Sequence, residues 1–223
     1  MFVNKYNLKI SELFDDIPDN LRADFEGVDY AWEIIPKIKD VIVKIIKNPD
    51  DGYAVLSEGV LVGKNVKIAK TATIIPPAVI GNDVEIRPGA YIRGNVYIGD
   101  RCIVGNSSEL KNCILLTHVQ APHYNYVGDS ILGNNSHLGA GAICSNLKSD
   151  GKNVVVHADK NYATDLRKFG AILGDYADVG CGSVLNPGTV IGKRTQVYPL
   201  TMARGAYPED SIVKSTDTVV KKR

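Results

Sequence analysis

Excess charge is the first thing this chain lacks: 26 Lys and Arg stand against 25 Asp and Glu, for a formal net charge of +1. The two signs are interspersed, which leaves no footprint for a nucleic-acid partner. Only Lys221-Lys222-Arg223 is basic, and it reads as a solvated tail. Long apolar runs are also missing. No stretch approaches the roughly 20 apolar residues of a membrane span, and Met1 to Asp16 holds no apolar core of signal-peptide length. A soluble, cytoplasmic protein without a membrane partner is therefore expected. Cysteine is sparse as well. Cys102, Cys113, Cys144 and Cys181 show no C-x-x-C spacing, so buried small hydrophobes are expected rather than disulfides or zinc ligands.

What is present in abundance is a period of six. Val62, Ile68, Ile74, Ile80, Ile86, Ile92, Ile98, Val104, Leu110 and Leu116 follow one another at that spacing, and the residue four places on is usually small or β-branched. No helix has this period. A unit so short cannot fold singly, and a solenoid lets each copy bury its aliphatic residue against the next turn. The phase returns at Leu132, Leu138 and Cys144, and again from Leu173 to Val197. Between these blocks lie two interruptions, Thr117 to Tyr126 and Ser145 to Phe169.

Residues 1–52 lack the repeat and carry helical signals at Ile10 to Phe14 and Ala31 to Lys47, with Pro36 marking a helix start or kink. Asn48-Pro49-Asp50-Asp51-Gly52 closes this part as a turn. The expected organisation is an N-terminal helical cap over one end of the solenoid (1–52), the solenoid itself (53–205) and a C-terminal tail (206–223). An uncapped coil would expose strand edges, which favours the cap; the lesser alternative is that the helical segment recognises a partner.

The repeat resembles that of the left-handed parallel β-helix, an all-β solenoid in which three hexads make one triangular coil. Residues eighteen apart then lie above one another. Arg93 and Lys111 satisfy that arithmetic, so the two cations would stack and either clamp one anionic group or remain solvated. The first interruption holds His118 and His123. An extra loop costs entropy and adds little core, which suggests function. Imidazole suits general acid-base work. The two histidines could instead bind a metal with His137 or His157, or simply bond within the loop.

A narrower resemblance rests on Val104-Gly105-Asn106-Ser107-Ser108-Glu109-Leu110-Lys111, Pro122-His123-Tyr124-Asn125-Tyr126-Val127-Gly128-Asp129, Leu138-Gly139-Ala140-Gly141-Ala142-Ile143 and Asn146. Together these resemble the acetyltransferase domain of the bifunctional enzymes of UDP-N-acetylglucosamine synthesis, within the hexapeptide-repeat acyltransferase superfamily. The resemblance implies acetyl transfer from acetyl-CoA to the amine of an amino-sugar phosphate such as glucosamine-1-phosphate, in a homotrimer, with no metal. It implies His123 as general base and Asn146 as a second active-site residue. It places Arg93, Lys111 and Tyr126 on the sugar phosphate, and the Ala140 amide and Lys152 at the coenzyme. His137 stands where the family has a sugar-contacting asparagine, and Cys181 where a serine meets the coenzyme. The Gly-rich start Leu-x-Ala-Gly-x-Gly-Thr-Arg is absent, so this chain is not expected to make the sugar nucleotide itself. Two other functions stay open: a non-catalytic solenoid that binds a phosphosugar or scaffolds a nucleotidyltransferase, and a metal-dependent hydratase of the carbonic anhydrase type.

Overall fold

Alternation within very short strands builds the body of the molecule, a left-handed parallel β-helix described here from a computed structural model. The structure describes residue 6 and residues 8–222, so Arg223 of the basic end lies outside the described residues. In Val60–Val62, Ala78–Ile80 and Val96–Ile98 the two outer residues face the solenoid interior while the middle one faces away. These strands stack in parallel register on the first of three faces, as in Leu61↔Val79 and Val79↔Tyr97. The second face stacks Glu85–Ile86, Ile103–Asn106, Gln120–His123, His137–Leu138 and Asp178–Val179. The third stacks Thr73–Ile74, Tyr91–Ile92, the first halves of Glu109–Leu115 and Tyr126–Leu132, then Ile143–Cys144, Val184–Leu185 and Met202–Ala203. Among the described residues, no helix is long and apolar enough to cross a membrane.

The helical segment comprises α1 (Ile10–Leu13), α2 (Asp19–Glu26), a 3-10 turn (Ala31–Lys37) and α3 (Ile38–Lys47). Pro36 sits in the last turn of the 3-10 segment, two residues before α3 begins at Ile38, where its missing N–H costs little. The expectation of an end cap is corrected here. Leu21, Phe25, Ile34, Ile38 and Ile42 pack against Leu61, Val79, Tyr97, Ile114, Ile131 and Ile172, the outward-facing middle residues of the first face. A column of buried apolar residues running from coil to coil needs a cover along its length, and the helices supply it.

The tail expected at 206–223 is likewise corrected. Ala206–Tyr207 continues the first face, and Ser211–Ser215 pairs with Gln196–Val197 before turning back as Thr218–Lys221. Val213 is fully buried in the solenoid core, so this antiparallel hairpin closes the last coil and covers its strand edge.

The register also departs from a strict period of six. Ile92 aligns with Leu110, eighteen on, but Ile98 aligns with Leu115, seventeen on. Leu116 therefore leaves the solenoid core and packs on the helical side. One residue is lost at the corner between the third and first faces. Arg93, Gly94 and Asn95 separate Ile92 from Val96, whereas only Lys111 and Asn112 separate Leu110 from Cys113. The next coil repeats the short corner, with Lys111↔Gly128 and Cys113↔Ser130. The first interruption is thus no extra loop. Gln120 and Ala121 pair with Ile103 and Val104 in an ordinary rung, shifted by one.

Candidate active site

The short corners draw polar side chains together. Asn112 and Asp129 take left-handed angles, φ 47° and 48°, which Asn and Asp tolerate best among residues with a Cβ. Asp129 is 5% exposed, and such a carboxylate needs partners. Asn112 Nδ2 donates to its Oδ1 at 2.8 Å. Asn146 Nδ2 donates to its Oδ2, and the Lys111 ammonium lies 3.7 Å from the same oxygen. Asn146 Nδ2 also reaches Tyr126 Oη at 3.2 Å. A Cβ at position 128 would stand 2.5 Å from Tyr126 Oη and 2.8 Å from Asn146 Nδ2, so Gly128 is what leaves room for this contact. Burial pushes the Tyr126 phenol above its ordinary value.

One coil down, Arg93 stands in register with Lys111 on the third face. The two cations stack as the eighteen-residue arithmetic requires, but each has a carboxylate. Arg93 Nη1 donates to Glu109 Oε1 at 2.6 Å, and its guanidinium lies 5.8 Å from the Tyr91 ring centroid. Arg93, Lys111, Tyr126 and Asn146 thus form one continuous patch with Glu109 and Asp129.

His123 occupies the adjoining corner. It is exposed, and its ring makes no hydrogen bond among the described residues. Its backbone is fixed from beneath by Asn125, 2% exposed. Asn125 Oδ1 accepts the His123 amide at 3.0 Å, and its Nδ2 donates to Gly139 O at 2.8 Å. The His123 carbonyl accepts the Gly141 amide at 3.0 Å, and Gly182 donates to Ala140 O at 2.8 Å. His123, Ala140 and Cys181 therefore climb one corner on successive coils, about 4.8 Å apart. Ala140 is exposed, and its N–H donates to nothing among the described residues.

Three named residues sit apart. His137 lies on the second face, its Nδ1 2.8 Å from Asp178 Oδ1, and this hydrogen bond holds the Asp178 carboxyl below its ordinary value. Lys152 is exposed in the second interruption, where its amide donates to Asp150 Oδ1 at 3.0 Å. His118 holds Asn135 Oδ1 at 2.8 Å from the opposite end of the rung that ends at His123. Five extended residues span about 16 Å, too far for His118 and His123 to share a metal ion. Sequence reasoning assigned no role to Glu109, Asn112, Asn125 or Asp129. The signal was available in part, since Glu109, Asn125 and Asp129 fall inside the motif blocks.

Comparison with known proteins agrees with the motifs. The sequence pattern of the family described as the GMPPB C-terminal domain matches residues 74–161. The bifunctional protein GlmU of Methanococcus aeolicus is 32% identical over 248 aligned residues, covering 99% of this chain and 60% of that protein. The bifunctional sugar-1-phosphate nucleotidylyltransferase/acetyltransferase of Sulfurisphaera tokodaii is 32% identical over 113 residues, 50% of this chain and 28% of that protein. The chain thus spans 60% or less of the length of these relatives. Among solved structures, PerB from Caulobacter crescentus in complex with CoA and GDP-perosamine aligns at 20% identity and a TM-score of 0.41, over 67% of this chain and 54% of that one. The chain is similar in sequence to the bifunctional GlmU proteins, in line with the resemblance that its motifs carry.

Proposed function

We propose that this chain is an acetyl-CoA-dependent N-acetyltransferase acting on the amine of an amino-sugar phosphate such as glucosamine-1-phosphate. The observation that carries the reading is the His123 corner: an imidazole whose ring, among the described residues, has no hydrogen-bond partner, one coil below a backbone N–H that likewise donates to none of them. A sugar amine must lose a proton as it attacks a thioester, and His123 takes it. Charge gathers on the acetyl oxygen, and the Ala140 amide stabilises it. The C–S bond then breaks and coenzyme A leaves as the thiol. Across the corner, Tyr126 and Asn146 orient the sugar while Arg93 and Lys111 hold its phosphate. His137 contributes a sugar contact from the second face, and Cys181 and Lys152 meet the coenzyme. The helices already cover the first face, so in a homotrimer the partner subunits would close over the other two, and the site would lie at that interface.

The test is thiol release from acetyl-CoA with and without glucosamine-1-phosphate. His123→Ala should lower turnover about 10²- to 10⁴-fold with melting temperature and oligomeric state unchanged. His118→Ala should be much milder, because that ring is tied to Asn135 at the far end of the rung. Equal losses in both variants would sink the assignment, as would a monodisperse monomer with full activity for the interface.

A further inference from the structure

The second interruption is a built wall. It leaves the solenoid at Asn146 and returns at Phe169, where the Phe169 amide donates to Asn146 O at 2.9 Å. Val155–His157 and Asn161–Ala163 pair between these points as an antiparallel hairpin. Val154, Val156 and Phe169 are fully buried, and Tyr162 meets Trp32 edge-on at 6.2 Å. The helical segment thus fixes the hairpin against the solenoid. Beside it opens a cleft of about 780 Å³.

The floor of that cleft continues the phosphate column. The register runs Arg93, Lys111, Gly128, Ser145, Asn186, Arg204 up the third face. Cations stand at both ends, with small or neutral polar residues between. Arg204 is four rungs above Lys111, about 19 Å away, so one phosphate cannot touch both. Arg204 is exposed, and no carboxylate pairs with it among the described residues. Among the described residues its one side-chain hydrogen bond is Nη2 to His157 Nε2 at 3.3 Å, with His157 Nδ1 donating to Asn161 Oδ1 at 2.8 Å. Lys148 also lines the cleft and carries the local carboxylate, Asp150, at 3.3 Å.

We propose that Arg204, Lys148 and His157 form a second anion subsite, which takes the phosphate chain of a nucleotide. Resting on the acetyl-transfer reading, it deepens that reading by naming the end of the ligand that lies farthest from the reacting atoms. Two sources carry this chemistry, the nucleotide end of coenzyme A and a nucleotide-linked sugar. The guanidinium is free to pair bidentately with a diphosphate, and the uncharged floor lets the rest of the ligand lie against the coils.

The experiment is calorimetric titration of the full chain, wild type, Arg204→Ala, Arg204→Lys and Lys148→Ala, with inorganic diphosphate, coenzyme A, pantetheine, UDP and glucosamine-1-phosphate. Arg204→Ala should weaken diphosphate and at least one of coenzyme A or UDP by about tenfold or more. Pantetheine and glucosamine-1-phosphate should be unaffected, and Arg204→Lys should recover part of the loss. Which nucleotide falls identifies the source. Unchanged binding of all three would overturn the subsite, and so would loss of every ligand together with a lower melting temperature. Acetyl transfer absent in the wild type, with diphosphate binding still dependent on Arg204, would remove the reaction and leave the subsite. Transfer present with nucleotide binding independent of Arg204 would do the reverse.

Discussion

The two stacked cations should differ in worth, and the structure says in which order. Lys111 lies 3.7 Å from the Asp129 carboxylate, outside the 2.7–3.2 Å range of an N–H···O bond. Its ammonium protons are therefore available to an incoming phosphate, while Asp129 already has two amide donors from Asn112 and Asn146. Little is given up when the ligand arrives, so Lys111→Ala should lose most of a charge-assisted bond, about 1.5–3 kcal/mol, or roughly 10- to 100-fold in affinity for glucosamine-1-phosphate. Arg93 is different. Its guanidinium is already held at 2.6 Å by Glu109, and part of any phosphate contact would replace that bond. Arg93→Ala should accordingly cost less than Lys111→Ala, and Glu109→Gln should tighten the sugar phosphate by freeing Arg93. Calorimetry on the three variants, with coenzyme A as control, reads the order directly. A larger loss from Arg93→Ala, together with no gain from Glu109→Gln, would refute the argument, and equal loss of both ligands would mean misfolding.

Three further outcomes follow from named groups. Burial pushes the Cys102 and Cys144 thiols up to about 12 and raises Cys113 as well, so Cys181, the exposed one, should be the sole site of rapid alkylation by mass spectrometry. Coenzyme A should slow it, and unchanged labelling would remove Cys181 from the coenzyme corner. Phe25→Ala should cost about 3–5 kcal/mol in thermal or urea unfolding, as for other fully buried aromatics, and a small loss would mean that the helices merely rest on the first face. The Asp178 carboxyl titrates lower in the folded chain than in the unfolded one. Its contribution to stability is therefore present above the ordinary aspartate value of about 3.9 and lost as pH falls through the depressed folded value. Asp178→Asn should flatten the acid limb of the unfolding profile, and an identical limb would show that the pair with His137 contributes nothing.

The solenoid was legible because its signal is arithmetic. Ile86, Ile92, Ile98, Val104 and Leu110 all enter the interior where a period of six puts them. The same arithmetic placed Lys111 above Arg93. It failed at Leu116, because a rung can lose a residue without the apolar pattern showing it: Leu115 and Leu116 are both aliphatic, and only register decides which faces inward. The placement of the helices was illegible for a related reason. Leu61, Val79, Tyr97, Ile114 and Ile131 look like ordinary strand residues one at a time, and their continuity as an apolar column appears only when the coils are stacked.

That lost residue also explains why the candidate site lies where it does. A full corner, as at Arg93-Gly94-Asn95, ends one strand before the next begins, whereas the short corners at Asn112 and Asp129 let a single strand run from the third face to the first. The turn is then concentrated in one left-handed residue per coil, and Asn112 and Asp129 come to lie directly above one another with their side chains bonded. Asn146 continues the same seventeen-residue step and meets Asp129 from the next coil. Two eighteen-residue coils in place of these would return a full corner, separate the amides from the carboxylate, and leave Asp129 buried without its partners. Inserting one glycine after Asn112 tests this: activity and affinity for the sugar phosphate should fall together while the parallel register above and below persists in the circular dichroism and the oligomeric state. Retained affinity in that variant would mean that the short corners serve packing alone.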